Sequence, residues 1–246
     1  MRQALIPLLL LAVLGGAAAS AAPSVAQKQT TTTAGDPHRV EPGFFDIHVC
    51  NWPDRPLFLY ALFSTTEFAQ IRAITVHAPD GAQLGALDLE RYRLVDADGR
   101  PKRVFMYQFP IPAGAGDGWY GARVELRDGR SFEARDFVVL EAMQRASGLN
   151  PPDQAEGLPV PARLSWQPVP GATHYQVFLK DMWQDGKLVF SSPLLSAPEV
   201  TLPEGLLAPG GWYLWRVHAR DVNENVVLGD FNHGSLTAEA SFTTAE

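Results

Sequence analysis

The chain has 246 residues, and its 20 lysine and arginine residues stand against 27 aspartate and glutamate residues, a formal net charge of −7. This acidic balance disfavours electrostatic binding to nucleic acid, so we expect no nucleic-acid partner. Frequent glycine (21) and proline (20), with short runs of β-branched and aromatic residues between them, indicate an all-β protein long enough for two domains.

Residues 1–22 have the organisation of a signal peptide. Arg2 supplies a positive start, residues 5–14 form a short apolar core, and residues 17–22 are small. The apolar run is too short to span a bilayer comfortably, so we expect cleavage, no transmembrane anchor and a periplasmic or secreted protein. Loss of Arg2 leaves 19 basic and 27 acidic residues, a net charge of −8 for the mature chain.

A disordered leader at residues 23–43 and a first domain at residues 44–146 are predicted next. The leader is rich in Thr, Ala, Gln and Pro and has no apolar period. From Phe44 onward, alternating apolar runs separated by Asp-Gly turns predict an immunoglobulin-like β-sandwich. A helical turn is an alternative for residues 87–94, and a short helix is expected at residues 141–146.

A proline-rich linker at residues 147–161 and a second domain at residues 162–246 complete the predicted organisation. The linker breaks all periodicity, and its prolines predict a stiff spacer. In the second domain, Trp166 precedes a Pro-Gly-Ala turn and a strand with Tyr175. Later, Leu207-Ala208-Pro209-Gly210-Gly211 leads into a strand in which Tyr213, Trp215, Val217 and Ala219 share one face.

This order of motifs resembles the fibronectin type III family. The resemblance implies that Trp166 is buried at the B strand and that the hydroxyl of Tyr213 forms a hydrogen bond with the chain upstream of it. The expected fold class is therefore all-β, with two tandem immunoglobulin-like/fibronectin type III-like β-sandwich domains. The resemblance implies a fold and not a function, because such sandwiches serve many functions.

The segment at residues 221–237 is long for a hairpin loop and is a candidate binding loop. Its oxygen side chains alternate as in a calcium loop. However, Val226 and Asn232 occupy the positions where such a loop has glycine and a bidentate glutamate, so we expect no metal or other cofactor and keep calcium as an open alternative. The candidate binding residues of the loop are Asp221, Asn223, Asn225, Asp230, Phe231 and His233.

Tryptophans beside turns form a second set of candidates. Trp183 and Trp212 are the predicted binding residues, because their rings could stack on a sugar or anchor a partner protein. Trp52 and Trp119 lie in similar positions, and for each of the four tryptophans the favoured alternative is that the ring covers the end of its own sandwich.

Asp46, His48 and Cys50 project from one face of a strand and include an acid, a base and a nucleophile. Alternate strand residues lie roughly 6.5–7 Å apart, further than hydrogen-bond reach, so an ordinary strand with a buried thiol is the favoured interpretation. A single cysteine cannot form an intrachain disulfide.

These observations predict a non-catalytic exported protein that binds a partner protein in the cell envelope or the extracellular space. The alternative is a glycan-binding accessory protein that uses loop aromatics. Both hypotheses start from the lack of a recognisable nucleophile set, metal site or phosphate loop in the sequence.

Overall fold

A computed structural model describes residues 35–97, 99–222 and 230–246. Within these ranges the chain forms β-strands and two short 3₁₀ turns, at Phe68–Gln70 and Met182–Gln184, and no α-helix. No helix in the described part of the chain has the length and apolar character needed to span a membrane. The predicted all-β fold class, two tandem sandwiches of the immunoglobulin-like and fibronectin type III-like kind, is confirmed.

The first sandwich has two sheets. One has the order β2–β3–β7–β6, with β1 beside β2, and the other has the order β5–β4–β8–β9. The strands are β1 (Arg39–Val40), β2 (Gly43–Asn51), β3 (Phe58–Thr65), β4 (Ile71–His77), β5 (Gln83–Ala86), β6 (Tyr92–Ala97), β7 (Arg100–Pro110), β8 (Gly118–Leu126) and β9 (Ser131–Val138).

Strand β2 is buried on both faces. Because side chains alternate along a strand, Phe45, Ile47 and Val49 point into the core between the two sheets. Asp46, His48 and Cys50 occupy the opposite face and are also buried. The second set of side chains therefore faces a covered polar region instead of solvent.

The second sandwich contains a large and a small sheet. The large sheet runs β13–β12–β15–β17–β10, and the small sheet pairs β11 with β14. The strands are β10 (Ala155–Leu158), β11 (Arg163–Ser165), β12 (His174–Asp181), β13 (Lys187–Ser191), β14 (Glu199–Thr201), β15 (Trp212–Val222), β16 (Phe231–Leu236) and β17 (Ala240–Thr244).

The corner before β15 has the expected geometry. The backbone N–H of Ala208 donates to the hydroxyl of Tyr213 over 2.8 Å, and the Tyr213 ring is buried. Trp166 is buried against Tyr175 and Trp215, with ring centroids 5.3 and 6.5 Å away. These aromatic rings form the centre of the second core.

Strand β16 joins the two sandwiches. It pairs antiparallel with β15 and parallel with β2, where Gly234 lies opposite Cys50. Side chains add further bonds across this junction: Asn51 Nδ2 donates to the Met143 carbonyl over 2.9 Å, and Ser235 Oγ donates to the Gln144 carbonyl over 2.7 Å. One sheet therefore continues from the first sandwich into the second.

Several predicted boundaries and elements are wrong. The first sandwich begins before Phe44, since β1 pairs with β2 and His38 is buried. Residues 141–146 form no helix, because Met143 extends into the second core. Strand β6 occupies part of the segment for which a helical turn was an alternative, and β10 lies inside the predicted linker. The predicted signal peptide and most of the predicted leader lie outside the described residues.

Candidate functional site

Trp183 is presented by a tight turn at one end of the second sandwich. Asp181 Oδ1 accepts a hydrogen bond from the backbone N–H of Trp183 over 2.9 Å, and Asp185, with φ of 54°, ends the turn in the left-handed region. The indole Nε1–H donates to the Gly210 carbonyl over 3.1 Å. These bonds fix the indole although 69% of the residue is exposed.

Trp212 lies against Trp183. Their ring centroids are 5.6 Å apart and the rings are inclined by 70°, an edge-to-face contact. Trp212 is 37% exposed at the start of β15. The two rings predicted separately from the sequence thus form one exposed pair.

Two leucines extend this pair along the outer face of the large sheet. Leu214 is two residues after Trp212 and so lies on the same face, and the cross-strand register continues from Leu214 through Lys180 to Leu188. Leu188 is 50% exposed. We name Trp183, Leu188, Trp212 and Leu214 the aromatic patch.

Charged side chains lie within and beside the aromatic patch. The ammonium of Lys180 lies 2.6 Å from the Glu239 carboxylate, and Arg216 lies 4.0 Å from the same carboxylate. Lys180 lies between Leu188 and Leu214 in the register, so the apolar surface of the patch is concentrated at Trp183 and Trp212. Leu188 was not among the binding residues predicted from the sequence. A single leucine in a predicted strand does not indicate a binding role until its neighbours in the sheet are known.

The candidate loop is not an exposed binding loop. Asp221, Asp230 and His233 are buried, and Phe231–Leu236 forms β16 between the two sandwiches. Phe231 packs on the ring of His48, with centroids 5.5 Å apart. The prediction of an exposed loop is wrong for these residues because the strand pairs with the first sandwich, while Asn223 and Asn225 lie outside the described residues.

The carboxylate of Asp221 is engaged by β16. It accepts hydrogen bonds from the backbone N–H groups of Asn232 and His233, and its Oδ2 lies 2.9 Å from His233 Nδ1. The other ring nitrogen of His233 lies 3.0 Å from the Val139 carbonyl of the first sandwich. Within residues 35–97, 99–222 and 230–246, no group of three or more His, Cys, Asp and Glu is arranged to hold a metal ion.

Asp46, His48 and Cys50 are closer than the strand spacing predicts. His48 Nδ1 lies 2.7 Å from Asp46 Oδ2, and Cys50 is near enough to His48 to raise the pKa of the imidazole. The expectation that these groups stay out of reach is therefore wrong, because the side chains lean together in a closed space. Cys50 nevertheless has no exposed surface and His48 has 4%.

Charges in this buried cluster are balanced locally. Burial disfavours the charged form of His48, but the Cys50 and Asp46 charges and their hydrogen bonds outweigh it and raise the pKa of His48 to about 10. Burial, reinforced by the Arg220 charge, lowers the pKa of His218. Burial also lowers the pKa of Arg220 to about 10.

The cluster connects the two sandwiches. Asp46 Oδ1 accepts a hydrogen bond from the backbone N–H of Phe231 over 2.9 Å, and the Arg220 guanidinium lies 4.8 Å from the Phe231 ring centroid. Arg220 Nη2 also lies 2.7 Å from His218 Nδ1. An acid, a base and a thiol are thus assembled at a covered junction, and the Cys50 side chain is fully buried there.

The remaining tryptophans serve the cores and their edges. Trp52 is half-buried against Phe58 and Tyr60, and Trp119 packs on Phe137 with ring centroids 5.4 Å apart. The aromatic patch therefore holds the most exposed indole of the molecule's described part.

No protein-family model matches the chain, and no curated protein matches it. Similar solved structures include the SGBP-B protein of the Bacteroides ovatus mixed-linkage glucan utilization locus in complex with a mixed-linkage heptasaccharide, at 17% identity and a TM-score of 0.23, covering 80% of this chain and 43% of that one. Dimeric latent PorU from Porphyromonas gingivalis has 13% identity and a TM-score of 0.30, with 85% and 20% covered.

Domains A168-A170 of titin have 15% identity and a TM-score of 0.25, with 82% of this chain and 66% of that chain covered. The chain thus spans 20 to 66% of the length of these three proteins. At such TM-scores the similarities carry no argument about function, and the fold assignment is based on the strand order.

Proposed function

We propose that this chain is a non-catalytic exported protein, periplasmic or secreted, that binds a partner protein of the cell envelope or extracellular space through the aromatic patch. The observation that carries the proposal is the exposed Trp183–Trp212 pair on the rigid outer face of the large sheet. Adjacent exposed apolar side chains mark binding surfaces more often than apolar residues that are exposed singly.

The energetics of the patch fit a protein partner. Tryptophan is over-represented among the residues that dominate binding free energy, and such residues are held in place before binding. The Trp183 indole is already fixed by its bond to Gly210, so little side-chain entropy is lost when a partner covers it. The ion pair of Lys180 and Glu239 can add selectivity.

The test is a binding assay with matched variants. Mature protein on beads is expected to retain a specific envelope or secreted protein. With both proteins purified, the double substitution Trp183→Ala and Trp212→Ala is expected to lower the binding affinity at least tenfold, a loss of about 1.4 kcal/mol or more in binding free energy. Leu94→Ala, which removes an exposed leucine from the first sandwich, serves as the control. If the double variant retains the partner protein as well as the wild type does, the aromatic patch is not the binding surface.

A glycan is the second candidate ligand, and the fixed orientation of Trp183 favours it. A pre-oriented indole offers a flat surface on which a sugar ring can stack. Oligosaccharides would then change the tryptophan fluorescence of the protein, and Trp183→Ala would abolish the change. If no glycan of a broad panel changes the fluorescence while a protein partner is retained on the beads, the ligand is a protein and not a glycan.

The non-catalytic part of the proposal is tested at Cys50. Because the sulfur is fully buried, a thiol reagent is expected to label it only after denaturation. Rapid labelling of the native protein would instead support chemistry at Asp46, His48 and Cys50.

We also propose that residues 162–246 are related to the fibronectin type III family. The support is the Tyr213 corner and the burial of Trp166 beside Trp215. Tyr213→Phe should keep the packing and lose the bond to Ala208, at a cost of about 1 kcal/mol in the free energy of unfolding.

A further inference from the structure

Strand β7 has a free edge that no other strand covers. On one side, β3 pairs with β7 along its length, from Thr65 opposite Arg103 to Phe58 opposite Pro110. On the other side, β6 pairs only with residues up to Phe105. Among the described residues, Met106–Pro110 therefore have no strand neighbour on this side, although free edges are usually kept short or covered.

A groove of about 700 Å³ lies along this free edge. Its walls include the consecutive residues Met106, Tyr107 and Gln108 of β7. Met106 and Gln108 share one face of β7, and Tyr60 lies on the same face opposite Gln108, so the groove lies over this face of the sheet and borders the free edge at Met106, Tyr107 and Gln108. The five residues Met106–Pro110 give the free edge a length of roughly 17 Å, enough for an extended peptide segment.

The groove is cationic in an otherwise acidic protein. Arg91 and Arg93 line it, and among the residues that the structure describes no aspartate or glutamate does. Within the described part of the chain neither arginine forms an ion pair, and both are exposed. Arg55 adds a third cation beside the groove, with Nη1 donating to Gln108 Oε1 over 2.7 Å.

Tyrosines complete the lining. Tyr92 and Tyr107 are 41% and 42% exposed, and the guanidinium of Arg103 lies 4.0 Å from the Tyr92 ring centroid. Tyr60 contributes its ring from β3, with its hydroxyl 2.9 Å from Met106 Sδ. Exposed tyrosines beside arginines are typical of surfaces that recognise polypeptides.

We propose that this groove binds an extended acidic segment of a partner protein, which adds to the sheet as a strand beside Met106–Pro110. Backbone hydrogen bonds to the free edge of β7 hold the segment, and its carboxylates contact Arg91 and Arg93. The free edge defines the conformation of the ligand, and the arginines define its charge. This surface belongs to the first sandwich and is separate from the aromatic patch.

The first test measures charge selectivity. The probe is a fluorescein-labelled heptapeptide of alternating glutamate and valine, compared with the same peptide carrying lysine for glutamate. The full chain is expected to bind only the acidic peptide, and Arg91→Ala with Arg93→Ala is expected to weaken binding about tenfold. Arg123→Ala with Arg163→Ala removes the same charge from exposed positions elsewhere and should leave the affinity unchanged.

The second test measures strand addition. Backbone N–H groups alternate between the two edges of a strand, so every second amide within residues 106–109 points to the free edge. These amides are expected to exchange their hydrogens more slowly when the acidic peptide is bound, since pairing protects them. Trp183→Ala with Trp212→Ala should leave both peptide binding and this protection intact, so failure of the patch and failure of the groove are distinguishable.

Four results would overturn the inference. These are equal binding of the lysine peptide, no effect of removing both arginines, peptide binding without protection at residues 106–109, and replacement of the peptide as preferred ligand by an acidic oligosaccharide. A second copy of this chain is the other possible occupant, and sedimentation analysis detects it as a dimer paired through two β7 edges. A dimer that persists in the presence of the acidic peptide would also overturn the inference.

Discussion

At the scale of single residues, His48 combines burial with a retained positive charge. Its ring is bonded to Asp46 and lies near Cys50 inside the covered junction. The sequence correctly placed these three side chains on one face of β2, because alternation is a local property. It could not predict their contact, since the closure that pushes them together depends on Phe231, which follows 185 residues after Asp46.

The raised pKa of His48 predicts a pH-dependent stability. The folded-state pKa is about 10 against an ordinary value of 6.5, so the stabilisation is fully present below pH 6.5 and is lost as the pH rises toward 10. Urea unfolding should therefore give wild type an advantage over His48→Gln that is larger at pH 6 than at pH 9.5 by about 1 kcal/mol or more.

Asp46→Asn is the matched variant for this measurement. It keeps the size of the side chain and removes the charge that helps to hold the imidazolium. We expect it to lose most of the same pH dependence. An advantage of wild type that stays constant from pH 6 to pH 9.5 would contradict a charged His48.

At the scale of elements, β16 decides how the two halves meet. The alternation in the sequence predicted most of the central strands, including β2, β3, β8, β12 and β15. It missed β16, because parallel pairing with β2 joins segments far apart in the chain and leaves no local period. The short edge strands β5 and β6 were missed because they bury few apolar side chains.

Close packing at Gly234 gives a test of this element. A Cβ at this position would lie 3.0 Å from His218 Nε2 and 3.8 Å from Cys50 Sγ. Gly234→Val should therefore reduce the free energy of unfolding by about 1–3 kcal/mol through overpacking. Gly121→Val is the control, since its nearest neighbour would be 3.6 Å away. A larger loss at Gly121 would contradict the packing described for β16.

At the scale of the whole molecule, the shared sheet predicts that the two sandwiches unfold together. Hydrogen bonds from β16 and from Asn51 cross the junction, so opening one half removes strand partners from the other. The sequence predicted a restricted orientation from the prolines of the linker. The continuous sheet restricts the relative orientation of the two sandwiches more strongly, and it is visible only in the three-dimensional structure.

Chemical unfolding should accordingly give one transition, with the same midpoint by tryptophan fluorescence and by circular dichroism. Asp46→Ala removes the acceptor for the Phe231 N–H and should separate the transition into two. Two transitions already in the wild-type protein would indicate that the junction contributes little to stability.

The most direct test of the proposed binding function is photo-cross-linking in the producing cell. A photoreactive amino acid is placed at Leu188, within the aromatic patch, and in a second protein at Arg163, which is exposed on the small sheet. The proposed function predicts a discrete cross-linked protein adduct from position 188 and none from position 163. No adduct at position 188, or the same adducts from both positions, would contradict binding of a partner protein through the aromatic patch.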